Sequence, residues 1–177
     1  MSDTPALPPI PQRTTPGFSF SVVERSLREC IADRRFGKAE TELVALRFDN
    51  SCTYCGAETI QRWDHVFPVS RGGDTVLGNI VPACAKCDDS KRDLRFDEWA
   101  TGDAPNSPRS RGVPDVERRL DRIREYVEAY SYAPREPGAR LTPDELQEYE
   151  LIRSELKSMR VHVDQLVSSY RARTGGR

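Results

Sequence analysis

The sequence predicts a mostly helical α+β protein whose small core is held together by a zinc site near the middle of the chain. Two C-x-x-C pairs, Cys52 with Cys55 and Cys84 with Cys87, have the spacing of a tetrahedral zinc site made of four cysteines. Short strand-like segments rich in turn residues lie between the pairs. The segments on either side have the apolar periodicity of helices.

Composition places the chain among charged proteins with a modest core. Its 177 residues suggest one domain, and 37% of them are hydrophobic, with a mean hydropathy of -0.66. No apolar run approaches the roughly 20 residues that a membrane span needs. The first residues lack the basic and apolar regions of a secretory signal. Since four of the five cysteines have metal-binding spacing, we expect reduced thiols and a cytoplasmic location.

The balance of charges limits the classes of partner. With 27 basic and 28 acidic residues the net charge is -1, which excludes the bulk basicity of a protein that coats nucleic acid without specificity. Basic residues still cluster locally, at Arg109 and Arg111 and again over residues 118–124. Both clusters equally fit a solvated helix face.

The chain divides into segments of different composition. Five prolines near the start predict a disordered or polyproline arm, and a stretch rich in Pro, Gly and Ser after the second cysteine pair predicts a linker. The predicted segments are an arm at 1–17, N-terminal helices at 18–49, a core at 50–100, a linker at 101–114 and a helical hairpin at 115–173.

Within these segments, local patterns predict the individual elements. Helices are expected over about 20–34 and 38–48, and Cys30 of the first helix is expected to be a small buried apolar residue. The first cysteine pair and the segment QRWDHVFPV are predicted to form two short strands with Gly56 at the turn. The segment LGNIVPAC returns to the zinc, and a helix over DDSKRDLRFDEWA starts just after Cys87.

Two helices with heptad-like apolar spacing are predicted at the C-terminal end. The first runs from Val116 to Tyr130, and the second has apolar residues at steps of three and four from Tyr149 to Tyr170. The sequence TPDE places Thr142 at the N-cap of the second helix in a capping box. So narrow an apolar seam fits a helical hairpin, an intermolecular coiled coil, or both, and alternatively it packs on the core.

Several short motifs follow each other in a specific order across residues 50–99. They are C-x-x-C, Asp64-His65, G-G-D, N-I-V with Asn79, C-x-x-C followed by Asp88, and S-K with Lys91. This order resembles the HNH nuclease family, whereas any one of the motifs alone would be weak evidence. The resemblance implies a ββα-metal fold, in which two strands and a helix hold one divalent cation against a phosphodiester.

The resemblance also implies roles for the matching residues. His65 is expected to be the general base, since an imidazole is partly neutral near neutral pH. Asp64 is expected to bind Mg²⁺ or Mn²⁺ through oxygen, although strand alternation places it on the opposite side of the strand from His65 unless a twist redirects one of them. Asn79 would orient the base or secure the loop, and a simple turn-capping role is compatible with this.

The helix after the second cysteine pair departs from the family pattern. Asp88 stands where the family usually has His or Asn, but its carboxylate remains an oxygen ligand, so we expect it to hold the cation together with Asp64. Asp89 is a competing candidate for the same role. If neither residue binds the cation, the domain would bind DNA without cleaving it. Phosphate contacts are expected from Lys91, Arg92 and Arg71, with plain solvation of the helix as the alternative for the first two.

These expectations combine into a metal-dependent endonuclease that hydrolyses DNA. Zinc would be structural, because a closed site of four cysteines has no open position for water, and DNA as the substrate follows from family analogy alone. A homodimer through the C-terminal heptads would supply one site for each strand, as in a restriction-type enzyme. A phage or mobile-element endonuclease and a nickase remain open. The alternative function is a non-catalytic zinc-finger module that binds DNA or a partner, which would have no need of His65.

Overall fold

The computed structural model describes residues 15–175, so all but the last residues of the predicted Pro-rich arm lie outside the described chain. Residues 25–147 form one compact unit, and residues 15–24 with 148–175 form a second. None of the described helices is both long and apolar enough to cross a membrane. The elements in chain order are α1 (Pro16–Ile31), α2 (Lys38–Arg47), β1 (Arg62–His65), β2 (Ile80–Ala83), α3 (Ala85–Lys91), α4 (Phe96–Ala100), α5 (Val116–Ala129) and α6 (Pro143–Thr174).

Strands β1 and β2 form a small antiparallel sheet that ends at the Asp-His pair. Asp64 lies opposite Val81, and His65 lies opposite Ile80. The first cysteine pair was expected to be a strand, and this prediction is wrong. The backbone there is a turn, in which the Gly56 amide donates to the Cys52 carbonyl at 2.7 Å and Gly56 has a φ of 76°. A left-handed φ of this kind ends extended structure and favours glycine.

The helix predicted after Cys87 is interrupted. Helix α3 ends at Lys91, the following residue Arg92 has a φ of 51°, and α4 starts only at Phe96. A non-glycine residue in the left-handed region stops helical propagation. The break allows α4 to turn its own apolar residues, Phe96 and Trp99, into the core.

The core of the 25–147 unit combines aromatic and aliphatic side chains from α2, the sheet, α4 and α5. The Tyr54 and Trp99 rings meet edge to face with centroids 5.0 Å apart. Leu120 and Ile123 of α5 are fully buried in the same cluster, and burial of such side chains stabilises a fold by about 1.5–3 kcal/mol each. The apolar side of α5 therefore packs on the core, which is the alternative that the sequence left open for this helix.

Residues 101–114, predicted to be a linker, form a closely bonded loop. Ser107 is fully buried, and its hydroxyl donates to the Gly102 carbonyl at 2.7 Å. The Arg109 amide donates to the Ala100 carbonyl at 3.1 Å, and the Ser90 hydroxyl donates to the Pro105 carbonyl at 2.5 Å. The small polar residues satisfy the backbone of the loop from within, so this segment belongs to the folded unit.

The ends of the described chain carry exposed apolar side chains. Helix α6 begins with the predicted capping box, since the Thr142 amide donates to Glu145 Oε2 at 2.8 Å and the Glu145 amide to Thr142 Oγ1 at 3.3 Å. Along its heptad stripe, Leu166 is 70% exposed.

Cys30 of α1 is also exposed, so its predicted burial is wrong. Helix α1 buries none of its residues fully, and Arg28 instead ties it to the Ser70 carbonyl at 3.3 Å.

Candidate active site

Four cysteines converge at the base of the sheet. Their Sγ atoms all lie within 4.8 Å of one another, and Cys55 Sγ is 3.7 Å from Cys84 Sγ. A tetrahedral site with metal–sulfur distances of about 2.3 Å has sulfur–sulfur edges of about 3.8 Å. Cys52 and Cys87 are fully buried. The thiol set therefore fits a metal ion such as zinc, and four thiols supply the complete set of ligands for a tetrahedral site.

Asp64 of β1 is buried and held by two side chains. The Tyr54 hydroxyl donates to Asp64 Oδ2 at 2.5 Å, and Lys91 Nζ lies 3.2 Å from Oδ1 and 3.1 Å from Oδ2. Burial first, and then the nearby charge of Asp64, raise the pKa of Tyr54 well above its ordinary value, so the phenol stays a donor. The position of the Asp64 carboxylate is thus set by the first cysteine turn and by α3.

Lys91 was expected to contact phosphate, and this prediction is wrong. Its side chain is fully buried, and besides the ion pair with Asp64 its ammonium donates to the His65 carbonyl at 2.6 Å. A lysine used in this way cannot reach a ligand at the surface. It instead joins α3 to the end of β1, contacting the side chain of one candidate catalytic residue and the backbone of the next.

His65 is half-buried at the end of β1 and is oriented by a threonine. His65 Nε2 lies 3.0 Å from Thr75 Oγ1, a hydrogen bond that fixes the plane of the ring. Burial is the main cause that lowers the pKa of His65 below its ordinary value; the positive charges of Lys91 and Arg34 act in the same direction, and Asp64 opposes them. The ring is therefore neutral near neutral pH, and the neutral ring is the form that accepts a proton.

Thr75 is itself fixed by a segment far away in sequence. Its amide donates to the Asp33 carbonyl at 2.8 Å, and its carbonyl accepts from the Arg35 amide at 3.0 Å. The neighbouring Asp74 is buried, and Arg140 Nη1 lies 2.6 Å from its Oδ1. Burial would raise the pKa of Asp74, but hydrogen bonds from Arg140 and from the Asp33 amide outweigh it and lower that pKa. The loop that carries Thr75, and so orients His65, is thus fixed by residues that lie outside the two strands in sequence, on both sides of the core.

Asn79 is fully buried and bonds to the loop between the strands. Its Oδ1 accepts from the Phe67 amide at 2.8 Å, and its Nδ2 donates to the carbonyls of Asp74 at 2.7 Å and Phe67 at 3.1 Å. These bonds close the loop of residues 66–79 across its base. Of the two roles considered for this residue, the geometry favours securing the loop over orienting the base.

Asp88 faces the same region from α3. Its side chain is 28% exposed, and Arg62 Nε lies 3.8 Å from its Oδ2. Burial first, and then the negative charges of Asp64 and Asp89, raise the pKa of Asp88. Asp89 shares the helix with Asp88 but is exposed, whereas Asp88 is partly buried and is influenced by the charge of Asp64. Asp88 is therefore the better placed of the two for a cation shared with Asp64.

The donor chemistry of Asp64 and Asp88 fits a hard divalent cation. Mg²⁺ is commonly bound by one or two carboxylates together with water and substrate phosphates. Among residues 15–175, the four cysteines are the one group of three or more His, Cys, Asp or Glu ligand atoms this close together. The ligand atoms of Asp64, His65 and Asp88 therefore do not lie close enough together to form a complete metal-binding cluster by themselves.

The remaining predicted DNA contacts lie at the surface. Arg92 is exposed at the end of α3, and its Nε donates to the Asp89 carbonyl at 3.2 Å. Arg71 Nη1 pairs with Glu98 Oε2 at 3.0 Å, and both side chains are about half exposed. An exposed pair of this kind is worth only about 0–1 kcal/mol, so a phosphate could replace Glu98 as the partner of Arg71.

Tyr54 and Thr75 belong to the site but were not identified from the sequence. Tyr54 lies between two metal-spaced cysteines, where the sequence pattern gives no weight to the intervening residues. Thr75 lies in a loop marked only by its glycines, ten residues beyond the histidine that it contacts. Neither contact follows from local periodicity, so no sequence signal was available for either.

The structure thus has the ββα arrangement predicted from the sequence: an antiparallel strand pair followed by a short helix, with the Asp-His pair at the strand end and four cysteines beneath. Residues 52–94 match the family model for HNH endonuclease, which confirms the resemblance seen in the sequence.

A curated relative is similar over part of the chain. It is the SPbeta prophage-derived protein YoqL of Bacillus subtilis (strain 168), which carries the name of an HNH endonuclease. The identity is 30% over 89 residues, which cover 44% of this chain and 38% of that protein. No solved structure matches the chain significantly. The similarity therefore covers less than half of this chain and less than half of that protein.

Proposed function

We propose that this protein is a metal-dependent endonuclease that hydrolyses phosphodiester bonds in DNA. The observation that carries the proposal is the placement of His65, Asp64 and Asp88 at the end of β1 and on α3, within the region that matches the HNH family. A Mg²⁺ or Mn²⁺ ion held by Asp64 and Asp88 would supply stabilisation of the charge on the phosphate and the leaving oxygen. Zinc at the four cysteines would be structural.

In this proposal the chain itself places the base and the carboxylate. His65 takes a proton from the attacking water, and Thr75 holds its ring in one orientation through the 3.0 Å contact. Lys91 of α3 bonds to the Asp64 carboxylate and to the His65 carbonyl, and so holds the end of β1 against α3. Arg92, which follows the last residue of α3, and Arg71, which pairs with Glu98 of α4, are both exposed and would contact phosphates.

The biological role is proposed from the relative. The name of YoqL describes a prophage-derived protein, which favours a phage or mobile-element nuclease over a restriction enzyme. The reduced cysteine set suits a cytoplasmic location. The alternative, a non-catalytic zinc-finger module, is disfavoured because the Tyr54, Lys91 and Thr75 side chains all position the Asp-His pair, which such a module would not use.

Cleavage of supercoiled plasmid tests the activity. With Mg²⁺ or Mn²⁺ present we expect conversion to nicked or linear DNA, and EDTA should abolish it. Asp88→Ala should raise the metal concentration needed for half-maximal rate steeply, because one of two carboxylates is lost, whereas Asp88→Asn should keep partial activity. Asp89→Ala is the matched control, since Asp89 is its neighbour on the same helix. An inactive Asp89→Ala beside a fully active Asp88→Ala would show that the ligand assignment is wrong by one residue.

We also propose that the protein forms a homodimer through α6. Met159, Leu166 and Tyr170 of its heptad stripe are 54%, 70% and 54% exposed. Apolar residues at this spacing, left exposed on one helix side, suit pairing with the same helix of a second copy. A two-fold pair would supply one active site for each strand of a duplex.

A charged double variant tests the dimer. Met159→Asp with Leu166→Asp should shift the mass measured by multi-angle light scattering from dimer to monomer, because paired helices would bury these charges. Double-strand cutting should change to nicking in the same variant. Ser154→Asp with Ser168→Asp adds the same charges at exposed positions outside the heptad stripe of α6 and should leave the dimer intact. A wild-type protein that is monomeric at micromolar concentration, both free and on DNA, would overturn this proposal.

A further inference from the structure

An arginine from the loop after α4 contacts one of the four cysteines directly. Arg111 Nη2 lies 2.9 Å from Cys87 Sγ, and Cys87 is fully buried. The loop that carries Arg111 is held in place by neighbouring hydroxyls and carbonyls: the Ser110 amide donates to Ser107 Oγ at 3.1 Å, and the Arg111 amide donates to the Ser107 carbonyl at 3.1 Å. The guanidinium is therefore delivered to the thiol by a fixed backbone.

A second arginine covers the other cysteine pair. The Arg119 guanidinium of α5 lies directly over Gly56, the residue after Cys55, so closely that a Cβ at position 56 would come within 2.5 Å of Arg119 Nη2. The Nε atoms of Arg111 and Arg119 are both buried, and neither has a hydrogen-bond partner among the described residues. Both arginines are partly exposed, but a nearby negative group would offset the cost of burying these Nε atoms without a partner.

The metal centre supplies such a group. Four thiolates around one Zn²⁺ leave a net negative charge, and here two of the sulfurs belong to fully buried cysteines. Burial of that charge is costly unless cations or hydrogen-bond donors lie beside it. Groups that donate hydrogen bonds to metal ligands commonly change metal affinity about 10- to 100-fold. Arg111 is placed to act in this way through its contact with Cys87, and Arg119 places a second positive charge over Gly56, the residue next to Cys55.

We propose that Arg111 and Arg119 form a cationic cover on the four-cysteine zinc centre that sets how tightly zinc is retained. Arg111 donates to the Cys87 thiolate, and Arg119 adds positive charge beside Cys55. The inference rests on the proposed zinc site and extends it to residues outside the 52–94 family match. It also assigns a function to residues 101–114, whose composition indicates only a linker.

Zinc retention in the full-length protein tests the cover. Wild-type protein purified without chelator should contain about one zinc per chain by elemental analysis, and its release into the chromogenic chelator 4-(2-pyridylazo)resorcinol is timed by absorbance. Arg111→Met, which keeps much of the volume but removes the charge and the donor, should release zinc about 10- to 100-fold faster. Arg119→Met should change the rate in the same direction. Arg111→Lys, which keeps the charge without the planar fork, should release zinc at an intermediate rate.

Arg109→Met is the matched control, because Arg109 lies in the same loop with its side chain 66% exposed, and it should behave as wild type. Circular dichroism at the assay temperature shows which variants are folded. If Arg111→Met is unfolded, Arg111→Lys and Arg119→Met carry the test. Wild-type release rates in the folded Arg111 and Arg119 variants would overturn the cover while leaving the zinc site standing. A folded wild-type protein without zinc would overturn the metal assignment and the cover together.

Discussion

Replacing His65 by alanine is expected to lower the single-turnover rate of DNA cleavage by about 10²- to 10⁴-fold, the range that a general base typically contributes. The substitution removes the proton acceptor at the end of β1. The fold should persist, since the His65 side chain is not fully buried and its hydrogen bond is to the single hydroxyl of Thr75. The measurement is cleavage of a labelled duplex with enzyme in excess, together with binding of the same duplex by anisotropy.

The chain offers its own control for this experiment. His162 is the other of its two histidines and is exposed on α6, so His162→Ala should cleave at the wild-type rate. We expect His65→Ala to bind DNA nearly as well as wild type, because the loss concerns the chemical step. A near wild-type cleavage rate for His65→Ala would show that another group takes the proton, and the role assigned to the Asp-His pair would have to be abandoned.

Replacing Lys91 by methionine is expected to lower the free energy of unfolding by about 3–5 kcal/mol, the usual cost of breaking a buried ion pair by removing one partner. Methionine fills a similar volume, so the loss reports the charge and the hydrogen bonds. The Asp64 carboxylate would remain buried without its cation, and the His65 carbonyl would lose a donor at 2.6 Å. Urea unfolding of the metal-loaded protein, followed by circular dichroism, measures the change.

Two further variants separate the ion pair from general effects on the helix. Lys86→Met is the matched control, since Lys86 lies on the same α3 but is exposed, and it should change stability little. Adding Asp64→Asn to Lys91→Met should restore part of the lost stability, because the unpaired charge is removed as well. Equal stability of Lys91→Met and Lys86→Met would contradict the buried ion pair.

The sequence alone predicted the structure correctly wherever the contacting groups are close together in the chain. The cysteine spacing predicted the thiol cluster, and Thr142 with Glu145 predicted the capping box of α6, because in both cases the contacting groups are tied by local geometry. The helices on either side of the core were predicted to within a few residues, since periodicity survives small errors at the ends.

The errors lie where a contact spans a long stretch of chain. Lys91 has the surroundings of a surface helix residue in the sequence, yet its partner is 27 residues away on β1. The Pro, Gly and Ser residues of 101–114 fit a flexible linker and a packed loop equally well, and the contact from Arg111 to Cys87 distinguishes the two. Long-range partners of polar side chains are not encoded in local periodicity, so a single sequence could not reveal them.

The way in which Thr75 is held determines how much of the chain would have to be moved into a fusion protein to keep the site intact. The family match covers residues 52–94, but Thr75 takes its backbone partners from Asp33 and Arg35, and Asp74 is bonded by Arg140. A fusion enzyme built from the matched residues alone would keep the cysteines and the histidine, yet the histidine would lose the support that aligns it. A transferable domain of this protein therefore has to include the compact unit from about residue 25 to residue 147, which is nearly three times as long as the 52–94 family match.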